Sequence, residues 1–134
     1  MEERISERIE EIEEILEEIE NWLPDELEEY ERNIMMKKAS ERNFELISEY
    51  IIDVALYFIK SKGFRAPKSD ESTFQILAEN KIISEELCEK MIELRGMRNF
   101  IAHRYGEIDN SKVFHALKEQ LRADVEEFLN SIKE

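Results

Sequence analysis

The chain has 134 residues, with three glycines, two prolines, one cysteine, two histidines and a formal net charge of −14. That length suits one domain with its own core, a lone cysteine excludes an internal disulfide and fits a reducing cytoplasm, and two histidines offer no zinc-type ligand cluster. No apolar run approaches the roughly 20 residues that cross a bilayer and no targeting segment is visible, so no membrane association is expected.

Abundant Glu, Leu, Ile and Lys with so little Gly and Pro predict an all-α fold over residues 1–134, undivided by any repeat or low-complexity linker. The charge is unevenly spread. Residues 1–31 hold fifteen acids against two bases, while the remaining 103 carry eighteen acids and seventeen bases. Most of the chain is therefore close to neutral and able to host a local phosphate site, although the overall field weakens long-range steering of nucleic acid.

The first apolar stripe is Ile5, Ile9, Ile12, Leu16, Ile19 and Leu23, in steps of four and three, with glutamates opposite and Pro24 as its end. It suits a bundle helix or, over three heptads, a coiled coil. The glutamate face is either solvated or set against a basic partner. From Asp25 no Gly or Pro occurs until Gly63, and Leu27, Tyr30, Ile34, Phe44, Ile47, Ile51, Val54 and Phe58 predict one long helix with a possible break near Asn33. Asp53 interrupts the apolar run 50–59. It is either a partly exposed acid or one paired with a site arginine.

Residues 63–69, with Gly63 and Pro67, read as a loop, after which Asp70 with Thr73 can cap a short helix to about Glu79. Ser84 caps the next helix, whose first turn holds Glu85 and Glu86 and whose apolar positions are Leu87, Met91, Leu94 and Met97. Gly106 is its expected stop. Asp109 is a plausible N-cap for a last helix marked by Val113, Leu117, Leu121, Val125, Phe128 and Ile132. Cys88 is expected in the core and His115 on the polar side of the last helix, neither with a role.

The segment 94–109, LRGMRNFIAHRYGEID, gathers polar groups where a helix ends and orphan backbone groups can meet ligands. On an ideal helix Asn99 and His103 share a face, as do Arg98, Ala102 and Tyr105, while Arg98 and His103 are about 140° apart. Bringing Arg98 and His103 together needs either unwinding toward Gly106 or a second copy that pools its side chains across a two-fold axis. Metal-free RNA cleavage needs a general base, a general acid and a cation on the phosphate; histidine and arginine can supply these. By spacing alone, a structural histidine and a catalytic one both remain open.

The run Arg98-Asn99-Phe100-Ile101-Ala102-His103-Arg104-Tyr105 resembles the Arg-x4-6-His-x-Tyr motif of the HepT-like branch of the HEPN superfamily. The stretch ERNFELISEYIIDVA (41–55) and the GFRAP loop followed by a short helix are similar to that family in order and spacing, so the resemblance covers nearly the whole chain. It implies an antiparallel bundle of four to five helices that forms a homodimer with two motifs facing one cleft. The implied function is the toxin of a toxin-antitoxin pair, a metal-independent endoribonuclease acting on an RNA substrate without a cofactor.

By the same resemblance Arg98 and His103 are catalytic and Asn99 orients them. Tyr105 is both a site residue and the tyrosine that a cognate MNT-type nucleotidyltransferase antitoxin modifies with AMP. Arg104 departs from the acidic or neutral residue frequent at its place; it either attracts phosphate or pairs with Glu107. Two other readings stand beside this one: a non-catalytic nucleotide-binding or assembly module partnering a nucleotidyltransferase, and a coiled-coil interaction protein.

Overall fold

The computed structural model describes residues 2–103 and 109–134, with His103 described by its backbone alone. Expectations for Arg104, Tyr105, Gly106 and Glu107, and for the side chain of His103, lie outside the described residues. Helix α1 (Glu3–Trp22) buries Ile5, Ile9, Ile12, Ile15, Leu16 and Ile19, the expected stripe with Ile15 added and without Leu23, which is half-buried beyond the helix end. It stops where Leu23 turns extended ahead of Pro24. A short α2 (Leu27–Arg32) follows, and then α3 (Ile34–Lys62). The break expected near Asn33 is there: its backbone is extended and its side-chain oxygen accepts from the Met36 N–H at 3.0 Å, starting α3 as a cap would.

The apolar stripe of α1 lies on α3 of its own chain, and the partners fix the direction. Arg4 stacks on Tyr57 and Arg8 on Tyr50, while Glu18 accepts from Asn43. Low numbers in α1 meet high numbers in α3, so the two helices are antiparallel. This pairing uses the seam that a coiled coil would have used. No described helix is long and apolar enough to cross a membrane.

Gly63 ends α3 with φ of 71°, left-handed backbone that suits glycine, and the Phe64 N–H reaches the Ile59 carbonyl at 3.1 Å. Helix α4 (Asp70–Glu79) is capped by Ser69 rather than by Asp70. Ser69 Oγ accepts from the Ser72 N–H at 3.0 Å and Ser72 Oγ accepts from the Ser69 N–H at 2.9 Å, a reciprocal box. The serine cap leaves the Asp70 carboxylate free to reach the next helix. Ser84 caps α5 (Glu85–His103) as expected, its hydroxyl accepting from the Leu87 N–H at 3.0 Å.

Asp109 caps α6 (Asn110–His115), accepting from the Lys112 N–H at 3.1 Å. A π-helical turn at Ala116–Gln120 leads directly into α7 (Leu121–Lys133). Val113, Leu117, Leu121 and Val125 are all buried at steps of four. In a regular α-helix three such steps drift by about 120°, and one wide turn absorbs that drift. Ion pairs of Arg122 with Glu20 and Lys133 with Glu13 run α7 antiparallel to α1. The buried apolar residues of all these helices form one cluster, including Cys88, whose thiol pKa burial pushes up.

Ile12 reaches no solvent at the α1–α3 seam, whereas Glu10 is exposed on the opposite face. In urea denaturation Ile12→Ala is expected to cost roughly 2–5 kcal/mol, and Glu10→Ala less than about 0.5 kcal/mol. Equal costs would remove the assignment of the stripe to an intramolecular core.

Candidate active site

The C-terminal half of α5 is bound to α3 through two arginines three residues apart. Arg95 donates through Nε to Asp70 Oδ2 at 2.6 Å and through Nη1 to the buried Ser48 hydroxyl at 3.2 Å, so it joins α5, α4 and α3. Arg98 donates through Nη2 to Glu49 Oε1 at 2.7 Å and through Nη1 to Asn99 Oδ1 at 3.0 Å. Its side chain is only 20% exposed, and its Nε is buried with no hydrogen-bond partner among the described residues. A guanidinium held at two edges, with N–H groups to spare, is preorganised to accept an anion.

Helix α5 continues through His103. Whatever residues 104–108 do, positions 98 and 103 leave the helix about 140° apart, so unwinding beyond His103 does not bring them together. Asn99 supplies part of the remedy. Its position is about 40° from that of His103, and its bond to Arg98 draws the guanidinium toward the face the two polar residues share.

Asp53 is paired with an arginine, but with Arg8 of α1, whose Nε lies 3.1 Å from Asp53 Oδ2; Arg8 also meets Glu11 at 2.7 Å. The acid that meets the motif arginine is Glu49, one turn earlier on α3. Sequence reasoning did not single it out, although Glu49 and Asp53 are four residues apart and share a helix face. The distinguishing signal was register: Glu49 faces α5 and Asp53 faces α1, and only the packing of both helices on α3 decides which. His115 is exposed, with Nδ1 3.4 Å from Glu119 Oε1 in the next turn.

On the other side of α5 from Arg98, a cleft of about 900 Å³ opens between α5 and the C-terminal helices. Met97 and Phe100 line it from α5, and Asp109, Lys112 and Gln120 face them. Phe100 lies next to Asn99 in sequence, so α5 presents the cleft on one flank and the Arg98–Glu49 pair on another. Among the described residues no three His, Cys, Asp or Glu side chains gather as metal ligands.

The ribonuclease HepT-like family model matches residues 5–132. An mRNA nuclease HepT from Shewanella oneidensis is 26% identical over 105 residues, 78% of each chain. A tRNA nuclease HepT from Aphanizomenon flos-aquae is 25% identical over 91 residues, 68% of this chain and 62% of its own. Among solved structures, a tri-AMPylated Shewanella oneidensis HEPN toxin in complex with MNT antitoxin superposes with a TM-score of 0.92 at 25% identity, covering 99% of this chain and 98% of that one.

Glu49 and Arg98 should be energetically coupled. Glu49→Ala is expected to lower the unfolding free energy by about 1–3 kcal/mol, and the Glu49→Ala/Arg98→Ala double variant should cost less than the two singles together by about 0.5–2 kcal/mol. Strict additivity in a urea-denaturation cycle would mean that the pair does not hold the guanidinium in place.

Proposed function

The chain belongs to the ribonuclease HepT-like family, and on that premise we propose that it is a toxin that cuts RNA internally without a metal, restrained by a nucleotidyltransferase antitoxin. The observation that carries this reading is the Arg98 guanidinium, held by Glu49 and Asn99 on the polar flank of the helix that also carries His103. The scissile phosphate would bind Arg98, with Asn99 keeping the guanidinium on the His103 side. One histidine takes the proton of the ribose 2′-hydroxyl as its oxygen forms a bond to phosphorus. A second acid protonates the departing 5′-oxygen as the P–O bond breaks.

The products of that displacement are a 2′,3′-cyclic phosphate and a 5′-hydroxyl. A homodimer supplies two copies of His103 around one cleft and so fills both proton-transfer roles. Two relatives with RNA-nuclease names differ in the RNA named, one mRNA and one tRNA. Endonucleolytic cutting is therefore proposed for RNA as a class.

Tyr105 follows His103 by two residues at the end of the motif. Addition of AMP to Tyr105 by the antitoxin would place bulk and negative charge beside the phosphate site and block substrate entry. The AMPylated state of the Shewanella oneidensis toxin in its antitoxin complex supports this mode of restraint.

The deciding experiment is cleavage of total RNA in EDTA by purified unmodified protein. Wild type should cut and leave cyclic-phosphate ends. His103→Ala should lower kcat/KM by about 10²–10⁴-fold, the usual range for a general acid or base, and Arg98→Ala by about 10²–10³-fold, as for loss of a charge-stabilising donor. Incubation with the nucleotidyltransferase and ATP should add the mass of AMP to the peptide containing Tyr105 and abolish cutting. A folded, unmodified dimer that cuts no RNA would overturn the reading in favour of a nucleotide-binding or assembly module.

A further inference from the structure

Toward the start of α3, the face that carries Glu49 bears two cations, Lys38 and Arg42, with Glu45 between Arg42 and Glu49. Residues 32–42 contain Arg32, Lys37, Lys38 and Arg42 against one acid, Glu41. Glu41 precedes Arg42, so it points about 100° round the helix from it, and it is buried. Lys38 and Arg42 are exposed and lie within about 40° of the direction of Glu49, as does Glu45. Along the axis Arg42 is about 10 Å and Lys38 about 16 Å from Glu49, where Arg98 is held.

Glu45 sits on the same line and meets Arg42 at 3.5 Å, but its side chain is 20% exposed against 61% for Arg42. Solvent therefore meets the guanidinium first. Arg32, Lys37 and Lys38 form no ion pair with the described residues, in a chain with 33 acids for 19 bases. In the other direction the face changes character, because Asp53 and the exposed Leu56 separate Arg98 from Lys60.

We propose that Lys38 and Arg42 form a track for a single-stranded RNA backbone that leads to the phosphate held at Arg98. The proposal rests on the ribonuclease reading and deepens it, since it assigns where the substrate lies beyond the cut. The occupant is the ribose-phosphate chain. A polyanion approaching along α1 meets nine acids against two bases. Approaching along the start of α3 it meets Lys38 and the exposed guanidinium of Arg42, a local charge balance that favours this direction.

Full-length protein carrying His103→Ala, which stops turnover, provides the test, with and without Lys38→Ala/Arg42→Ala. Binding of a labelled single-stranded RNA of about 20 nucleotides is measured across ionic strengths. Each phosphate contact on a single strand contributes about 0.7 to the slope of log K against log salt, so the double substitution should make the slope shallower by about 1.4. Binding at about 0.1 M salt should weaken roughly 25-fold, with the curves converging near 1 M. With His103 intact, the ratio of kcat/KM on that RNA to kcat/KM on a dinucleotide should fall.

Lys38→Gln/Arg42→Gln, checked by thermal melting, keeps the side-chain stems in place and should reproduce the slope change. An unchanged slope beside normal wild-type binding and cutting overturns the track and leaves the ribonuclease reading intact. Wild type that neither binds nor cuts RNA overturns both. An unchanged RNA slope with weakened binding of the nucleotidyltransferase assigns the cations to an acidic protein surface and likewise overturns the track.

Discussion

Helix α3 must bury two flanks at once, and that requirement arranges most of the molecule. Ile47, Ile51, Val54 and Ala55 reach no solvent, with α1 packed on one side and α4 and α5 on the other. A helix committed on two flanks leaves a strip between them, where Glu45, Glu49 and Asp53 are partly exposed. Glu49 and Asp53 occupy the middle of that strip, and an arginine reaches each from a different neighbour, Arg98 from α5 and Arg8 from α1. The guanidinium assigned to phosphate is therefore positioned by the same packing that makes the core.

The Arg98–Glu49 pair orders the guanidinium that we propose as the phosphate ligand. Surface ion pairs contribute little, but at 20% and 35% side-chain exposure this one is partly shielded, and it orders a side chain that would otherwise sample many rotamers. On the proposed reading, a phosphate arriving there would meet a guanidinium already set by Glu49 and Asn99. The order that the site needs is built during folding rather than at binding.

Much of this was legible in the sequence because the signals were local. The stripe on α1, the break at Asn33, the Gly63 stop and the caps at Ser84 and Asp109 each depend on residues within about one turn of one another, and each is found in the structure. Asp70 looked like a cap because an acid at a helix start often is one, but Ser69 caps α4 and Asp70 goes to Arg95. That choice, like the choice of Glu49 over Asp53 for Arg98, is made by contacts between helices 25 to 49 residues apart, which periodicity does not encode. The motif itself was read from a resemblance; its spacing alone favoured a structural histidine over a catalytic one.

The wide turn at Ala116–Gln120 has a consequence for how this chain can change. It holds one residue more than a regular turn would, and everything after it is in phase only because of that surplus. Deleting any one residue there would tighten the turn and rotate α7 by about 100°, swinging Leu121, Val125 and Phe128 off the core together. Substitutions in this stretch are judged by their own side chains, but a change in its length is judged by the entire C-terminal helix, so the count of residues is held more tightly than their identity.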